Sequence, residues 1–591
     1  MAARHEIHEP LREYAGKYKE LFRKNAAEAF NDLVRQSGVD AAANKQTCRR
    51  IKSLKKRLDH ISASLGKVRF LDGICIFLIV SGSLFFLFFL LHCFDPDIPG
   101  DIYWGGAGFV TAVLALILKI SVLNKKIAAL QNVTEKLRKE LNTEMAEAYR
   151  QMAPLNRLYQ WDTVSNIVMK SCPLFTIDKF FSSARMAELV QKFGLDQKPD
   201  KKSSVQFCHS GSINDNPFVL ADIWNVAMGT KIYSGSLVIT WQERVTYTDS
   251  EGRTRSRMET RVQTLTATVE KPCPEYFGKK VLVFGCGAAP DLNFSRSPSG
   301  LAGSENGLFS RLKMKWAIRD LVKRSNDMST SFTIMSNHEF DAVFAALDRD
   351  NEKDFRLLFT PLAQQEMLKL LRDKKHGFGE DFIFRKKKKI NFLYPGFIQA
   401  FDISARPSLF QHYDLEEAGK FFNHYCNEFF RRLYFSFAPL LAIPLYQQHE
   451  APGDIFEEET LYYAASWEYE SIANYYDRST FKHPSCITDC ILKTVPEHNK
   501  DGTTTLSVTA HGFGGEERVD YVPVFGGDGR FHDVPVEWIK YYPLSHTSPL
   551  VLREVDEDGE KLSASELFPG HKTDDDNVHF RRNIAFYIPR R

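Results

Sequence analysis

"GICIFLIVSGSLFFLFFLLHCFDPDIPGDIYWGGAGFVTAVLALIL", residues 73–118, holds two long apolar runs around an acidic, proline-broken turn. Residues 73–94 and 102–118 contain no Asp, Glu, Lys or Arg. A helix needs roughly 20 apolar residues to cross about 30 Å of hydrocarbon. The first run meets that length. The second meets it through Leu123, provided the stem of Lys119 carries its ammonium to the interface. Residues 1–72 precede the first run, which argues against a signal peptide. Asp95, Pro96, Asp97, Pro99, Gly100 and Asp101 stop a helix and reverse the chain in water. Tyr103 and Trp104 suit a membrane interface. Gly105, Gly106 and Gly108, facing Gly82 with Ser81 and Ser83, offer a small-residue surface for close helix packing.

The flanks set the orientation. Arg50, Lys52, Lys55, Lys56, Arg57, Lys67 and Arg69 precede the hairpin, and Lys119, Lys125, Lys126, Lys136, Arg138 and Lys139 follow it. The turn has no Lys or Arg. Basic flanks stay cytoplasmic, so the expectation is a multi-pass protein of a cell (inner) membrane with both termini in the cytoplasm. Ile51, Leu54, Leu58, Ile61, Leu65 and Val68 form a coiled-coil seam, as do Leu123, Ile127, Leu130, Leu137 and Leu141 with Thr134 in the gap. The arms either pair within the chain as a stalk or pair between copies as a homo-oligomer. Connectivity favours the first.

The 591 residues exceed one core. A net charge of +3 makes no case for nucleic acid. Ten scattered cysteines without a CxxC pair read as reduced thiols. The expected fold class is an α+β membrane protein. Its segments are 1–70 (N-terminal helices and first arm), 71–123 (transmembrane hairpin), 124–160 (second arm), 161–400 (α+β cytoplasmic domain), 401–450 (helical connector) and 451–591 (β-rich C-terminal domain). Residues 11–36 carry an amphipathic stripe through Leu11, Tyr14, Tyr18, Leu21, Phe22, Ala29 and Leu33. Residues 231–248 and 258–269 alternate around a turn at 249–252 and predict a long β-hairpin. A strand is expected at 279–284 and a loop at 287–308. Next come a helix near 339–347, a strand at 355–359, a helix at 361–372 and a hairpin through 382–384 and 390–393. A helix at 415–433 precedes a greasy stretch, 434–446, too short to span and read as buried strand or interface. Strands are expected at 487–495, 504–510 and 519–524, with a turn at Gly526-Gly-Asp-Gly529. Residues 556–577 are acidic.

Residues 338–384 read HEFDAVFAALDRDNEKDFRLLFTPLAQQEMLKLLRDKKHGFGEDFIF. Phe340 and Phe344, Asp348 and Asp350, the run Phe355-Arg-Leu-Leu-Phe-Thr-Pro361, the helix at 361–372 and the strand Phe382-Ile-Phe384 carry a resemblance. So do residues 231–240 and 279–284. The chain over about 65–400 resembles an uncharacterised bacterial family, a domain of unknown function with two spanning helices and a cytoplasmic α+β domain. The resemblance implies that topology and no activity. Thr360 and Pro361 also have a local reading, as N-cap and first helical residue, with Gln364 one place off a capping-box partner.

Candidate chemistry is thin. Phe284-Gly-Cys-Gly-Ala-Ala288 lacks the third glycine of a dinucleotide fingerprint, and Cys286 has no basic partner in sequence. His483, Cys486 and Cys490 lack a fourth zinc ligand. His5 and His8 fall one residue short of the zincin spacing. His511, His532 and Asp533 flank glycine turns and suit an acid–base pair. The sharpest charge run is Arg385, Lys386, Lys387, Lys388 and Lys389, expected at a hairpin tip and suited to anionic lipid headgroups or an acidic protein partner. No cofactor, metal site or nucleic-acid site is expected. The functional expectation is a membrane-anchored cytoplasmic scaffold or interaction protein. Its rivals are a membrane-tethered enzyme with a C-terminal site and an accessory subunit of a transport complex.

Overall fold

The computed structural model describes residues 6–92, 101–196, 200–248, 252–303, 308–327, 332–449, 463–500, 502–554 and 577–587. The chain divides into two units. One comprises Ala26–Gln160 with Arg406–Cys426, the other Met1–Asn25, Trp161–Ala405 and Asn427–Arg591.

In the first unit, Gly38 takes a left-handed φ of 63° and ends the helix Lys19–Ser37. Asp40 then accepts the backbone N–H groups of Ala42 and Ala43 at 2.9 and 3.0 Å and starts the next helix. That helix, Ala41–His92, runs unbroken for 52 residues, roughly 78 Å, from the arm into the apolar run. Asp101–Leu118 passes through a π-turn, Lys119–Leu123, into Asn124–Asn156. These two long helical stretches lie antiparallel, so the arms pair within the chain. Val68, Cys75, Leu123, Ile127 and Leu130 pack together. Ile51, Leu54, Thr134 and Leu137 are buried further along the seam. Arg50 and Glu144 bridge the arms at 3.2 Å. At the far end, Asn44 donates to the Tyr413 carbonyl at 2.9 Å and Asn156 to that of His412 at 3.2 Å. Two amides thus clamp the start of helix Leu415–Leu441 beside a Phe30, Tyr159, Phe410 and Phe422 cluster.

The second unit is α+β, and every strand pair in its two sheets is antiparallel. Seven strands, β1 (Phe175–Ile177), β2 (Ser203–Ile213), β3 (Asn216–Thr248), β4 (Thr254–Gly285), β5 (Asn293–Arg296), β6 (Phe382–Lys387) and β7 (Ile390–Pro395), lie in the order β1-β2-β3-β4-β7-β6-β5. Five more, β8 (Ile491–His498), β9 (Thr503–Phe525), β10 (Phe531–Glu554), β11 (Asn577–Phe580) and β12 (Asn583–Tyr587), lie in the order β11-β12-β10-β9-β8. The β3–β4 ribbon extends roughly 110 Å at about 3.4 Å per residue. Its distal part stacks on the β9–β10 ribbon, burying Ile239, Leu265, Ala267, Val534 and Val536 among Tyr233, Leu237 and Trp241. Gly235 permits that approach, because a Cβ there would lie 1.9 Å from the Pro535 carbonyl oxygen. Lys271 pairs with Asp520 at 2.5 Å and sits 4.3 Å over the Trp538 ring, whose indole N–H also donates to Asp520.

Several expectations change. Residues 279–284 are the tail of β4, because nothing between 254 and 285 breaks the ladder. Residues 504–510 and 519–524 belong to one strand, β9, and the last-region strand expected from 487 starts at Ile491. Residues 355–358 are helical, with Phe359 as the C-cap: Asn351 caps Glu352–Leu358 by accepting from the Asp354 N–H at 3.1 Å, and Phe355, Leu358 and Phe359 are buried. Residues 434–446 are buried helix, ending Leu415–Leu441 and continuing as Pro444–Gln448; Pro439 is accommodated inside the first. The loop at 287–308 contains β5. The acidic turn at 93–100, the turn at 249–251, the acidic stretch 556–576 and His5 lie outside the described residues.

Candidate functional site

The apolar hairpin is built around its small residues. A Cβ on Gly82 would meet the Gly108 carbonyl oxygen at 2.6 Å and the Ala112 Cβ at 3.1 Å. Ala112 and Ala115 are buried, while Phe77 (70%), Leu84 (61%) and Leu114 (61%) face outward. Both helices are long and apolar enough to cross a membrane, with mean hydropathies of 2.3 and 2.0 over windows that are 11% buried. Lys119 does not simply extend toward an interface. Its ammonium meets the Asp72 carboxylate at 2.5 Å, so one neutralised pair closes both apolar runs at the same level.

The basic run at 385–389 does form a hairpin, with Lys388 at a φ of 56°. It is not a uniform solvated tip. Alternation along β6 turns Lys386 inward, where it is 2% exposed. Its ammonium donates to the Ala288 carbonyl at 3.0 Å and lies 5.5 Å from the Tyr446 ring centre. Burial pulls its pKa down to about 8. Arg385, Lys387, Lys388 and Lys389 are exposed, and the apolar neighbours Phe384 and Ile390 are buried. Nearby, Cys286 is buried with its thiol pushed up to about 11 by desolvation, the reverse of a reactive cysteine.

The C-terminal candidates do not converge. His532 pairs in register with Val524, roughly 44 Å along β9 from His511 at about 3.4 Å per residue. His532 instead contacts Asp528 at 2.9 Å and holds that carboxyl below its usual range. Asp533, the next strand residue, points to the other face. Burial and the charges of Lys201 and Lys493 lower the His511 pKa. Cys490 donates to the Arg478 carbonyl at 3.7 Å and Cys486 to that of Thr488 at 3.5 Å, while His483 accepts from the Ser485 N–H at 3.1 Å. Among the described residues no group of three or more His, Cys, Asp or Glu is arranged to hold a metal. A pocket of about 330 Å³ lined by Ser183, Met186, Val190, Gln191, Ala465 and Ser466 has no ionisable side chain in its wall.

The residues of the 338–384 stretch hold this part of the fold together. Asp350 accepts the Asn293 N–H at 2.8 Å and Asp348 the Ser295 N–H at 2.7 Å, so two carboxylates satisfy the free edge of β5. Arg349, between them, turns into the core and pairs with Asp341 at 2.6 Å and Glu352 at 2.8 Å. Phe294, Phe340, Phe344, Phe355 and Phe359 form one ring cluster. Gln364 donates to the Phe359 carbonyl at 2.8 Å, and Thr360 caps the helix Pro361–Arg372. A second buried pair joins Arg581 to Glu468 at 2.6 Å, beside Cys208 and His209. Burial and Arg581 lower the His209 pKa to about 3.

One surface is missing from the sequence expectations: the helix Leu308–Ser325, with Arg311, Lys313, Lys315, Arg319, Lys323 and Arg324. The signal was present as Met314, Ala317, Ile318 and Leu321 at helical spacing, masked by the Gly/Ser-rich stretch before it.

No family model, no curated protein and no solved structure matches the chain. Its class rests on its own features: an α+β protein with an N-terminal helical region, two helices of membrane-spanning length and β-sheets in its C-terminal part.

Proposed function

We propose that the chain is a membrane-anchored scaffold or interaction protein, held in a cell membrane by the 73–118 hairpin with both termini in the cytoplasm. The observation that carries this reading is the inverted hairpin. Gly82, Gly108, Ala112 and Ala115 face inward, Phe77, Leu84 and Leu114 face outward, and the Asp72–Lys119 pair joins the two helices at the end of the charge-free runs. Water would make that outer surface costly, whereas hydrocarbon makes it neutral or favourable. The basic flanks support the orientation. Cysteine labelling tests it. In a Cys93→Ser background, Asp97→Cys is expected to react with a membrane-impermeant reagent in intact cells, and Thr254→Cys only after lysis. Labelling of position 254 from outside would overturn the topology. Full extraction of the protein by carbonate would overturn the anchor.

A further inference from the structure

The helix Leu308–Ser325 commits its apolar stripe to the domain. Met314, Ala317, Ile318 and Leu321 pack with Phe332, Ile334 and Ala342. At about 100° per residue, the opposite face presents Leu312, Trp316, Arg319 and Lys323. Trp316 is 62% exposed and Leu312 48%. Lys313 and Lys315 are exposed beside them. Among the described residues, Lys313, Lys315, Arg319 and Lys323 have no salt-bridge partner, whereas Arg324 is tied to the Leu347 carbonyl at 3.0 Å.

We propose that this face is a second, peripheral membrane contact that takes anionic lipid headgroups. The proposal rests on the membrane-anchored reading above. An exposed indole one turn from an exposed leucine suits the headgroup boundary, where an amphipathic ring is favoured. The unpaired cations supply attraction to anionic lipid that decays within a Debye length. Because the apolar stripe is already buried in the domain, the apolar groups that this face offers the interface, among the described side chains, are Trp316 and Leu312. Contact is therefore shallow, charge-driven and salt-sensitive. The 385–389 tip fits this role less well, since Lys386 is buried and neither neighbouring apolar side chain is exposed.

The test uses the full chain in vesicles of phosphatidylcholine alone or containing phosphatidylglycerol, with brominated acyl chains that quench tryptophan. The chain has seven tryptophans, so the difference between wild type and Trp316→Phe isolates Trp316. Its emission is expected to be quenched in phosphatidylglycerol-containing vesicles at low salt. It is expected to be unquenched in phosphatidylcholine alone, and released as the Debye length shortens from about 10 Å towards about 3 Å. The combined Lys315→Gln, Arg319→Gln and Lys323→Gln variant should lose the quenching at unchanged Tm. A Leu114→Trp variant reports the hairpin separately, and its added emission should be quenched in both lipids. Quenching at 114 with none at 316 overturns this inference alone. No quenching at either position overturns the anchor as well. Equal quenching of Trp316 in both lipids overturns the anionic-headgroup assignment. So does a Trp316 emission that ignores lipid and responds only to an added acidic protein or nucleic acid.

Discussion

The helical hairpin and the stacked β-ribbons are both long, locally paired elements, yet they are packed in opposite senses. Between the helices lie Gly82, Gly108, Ala112 and Ala115, with Phe77, Leu84 and Leu114 outside. Between the ribbons lie Ile239, Leu265, Val534 and Val536, and the outer face of β3 and β4, the alternate residues of the same strands, mixes Ser234, Ser236, Thr240, Thr264, Thr266 and Thr268 with the exposed Ile232, Val238 and Val262. A pair of elements places its bulk where its surroundings repel it least. The ribbons place most of their bulk between them, whereas the helices place theirs outside and meet through close backbone approach.

The largest expected break is Val536→Asp. This fully buried position would hold an unpaired carboxylate, costing about 4 kcal/mol or more, read as a collapse of the thermal transition. The same change at Leu84, 61% exposed, inverts the ordinary rule for surface sites. It should reduce membrane insertion by about 3 kcal/mol, read as carbonate-extractable protein. A Leu84→Asp chain that stays in the membrane at wild-type level would end the contrast.

A third expectation probes how dry the sheet core is. Lys386 titrates near 8 when folded, against an ordinary 10.5. Between those values the unfolded chain binds more protons, so stability should rise with pH from about 8 to about 10.5, by about 3 kcal/mol at most. Below pH 8 the penalty is fully present. Lys386→Met should remove the rise, and denaturant midpoints across this range would show it. An identical slope in the variant would mean that another group is responsible. Gly82→Leu comes next. It forces the helices apart against the Gly108 backbone, costing about 2 kcal/mol, detected as faster proteolysis of the arms in detergent. The smallest effect is Val238→Asp on the outer ribbon face, 62% exposed, which should leave the unfolding free energy from denaturant titration unchanged to within about 0.5 kcal/mol.

Features set by local composition are legible in the sequence. Charge-free length reveals the two apolar helices, and the spacing from Ile51 to Val68 reveals the seam. Alternation at 231–248 reveals the ribbon, and Thr360-Pro361 marks a helix start that the structure keeps. What stays hidden depends on distant partners. The short run 355–359 satisfies both periods, and only the Phe294 and Phe340 rings and the Asn351 cap decide for helix. Lys386 looks like its four basic neighbours until the Ala288 carbonyl, 98 positions away, receives it. The His511 and His532 pair looks convergent because sequence distance hides a strand long enough to separate them.

The Glu468–Arg581 pair also orders events in time. Its members lie 113 positions apart, and the same guanidinium reaches the Cys208 carbonyl across 373. At about 5–20 residues per second, a ribosome takes roughly 6–23 s to pass from Glu468 to Arg581. Through that interval the carboxylate destined for the core lacks this guanidinium, and from the completion of β10 at Glu554 that strand lacks its β12 neighbour. The nascent α+β unit would therefore wait, open along one sheet edge, for the guanidinium that closes it. Chaperone contact during synthesis should be concentrated in that window.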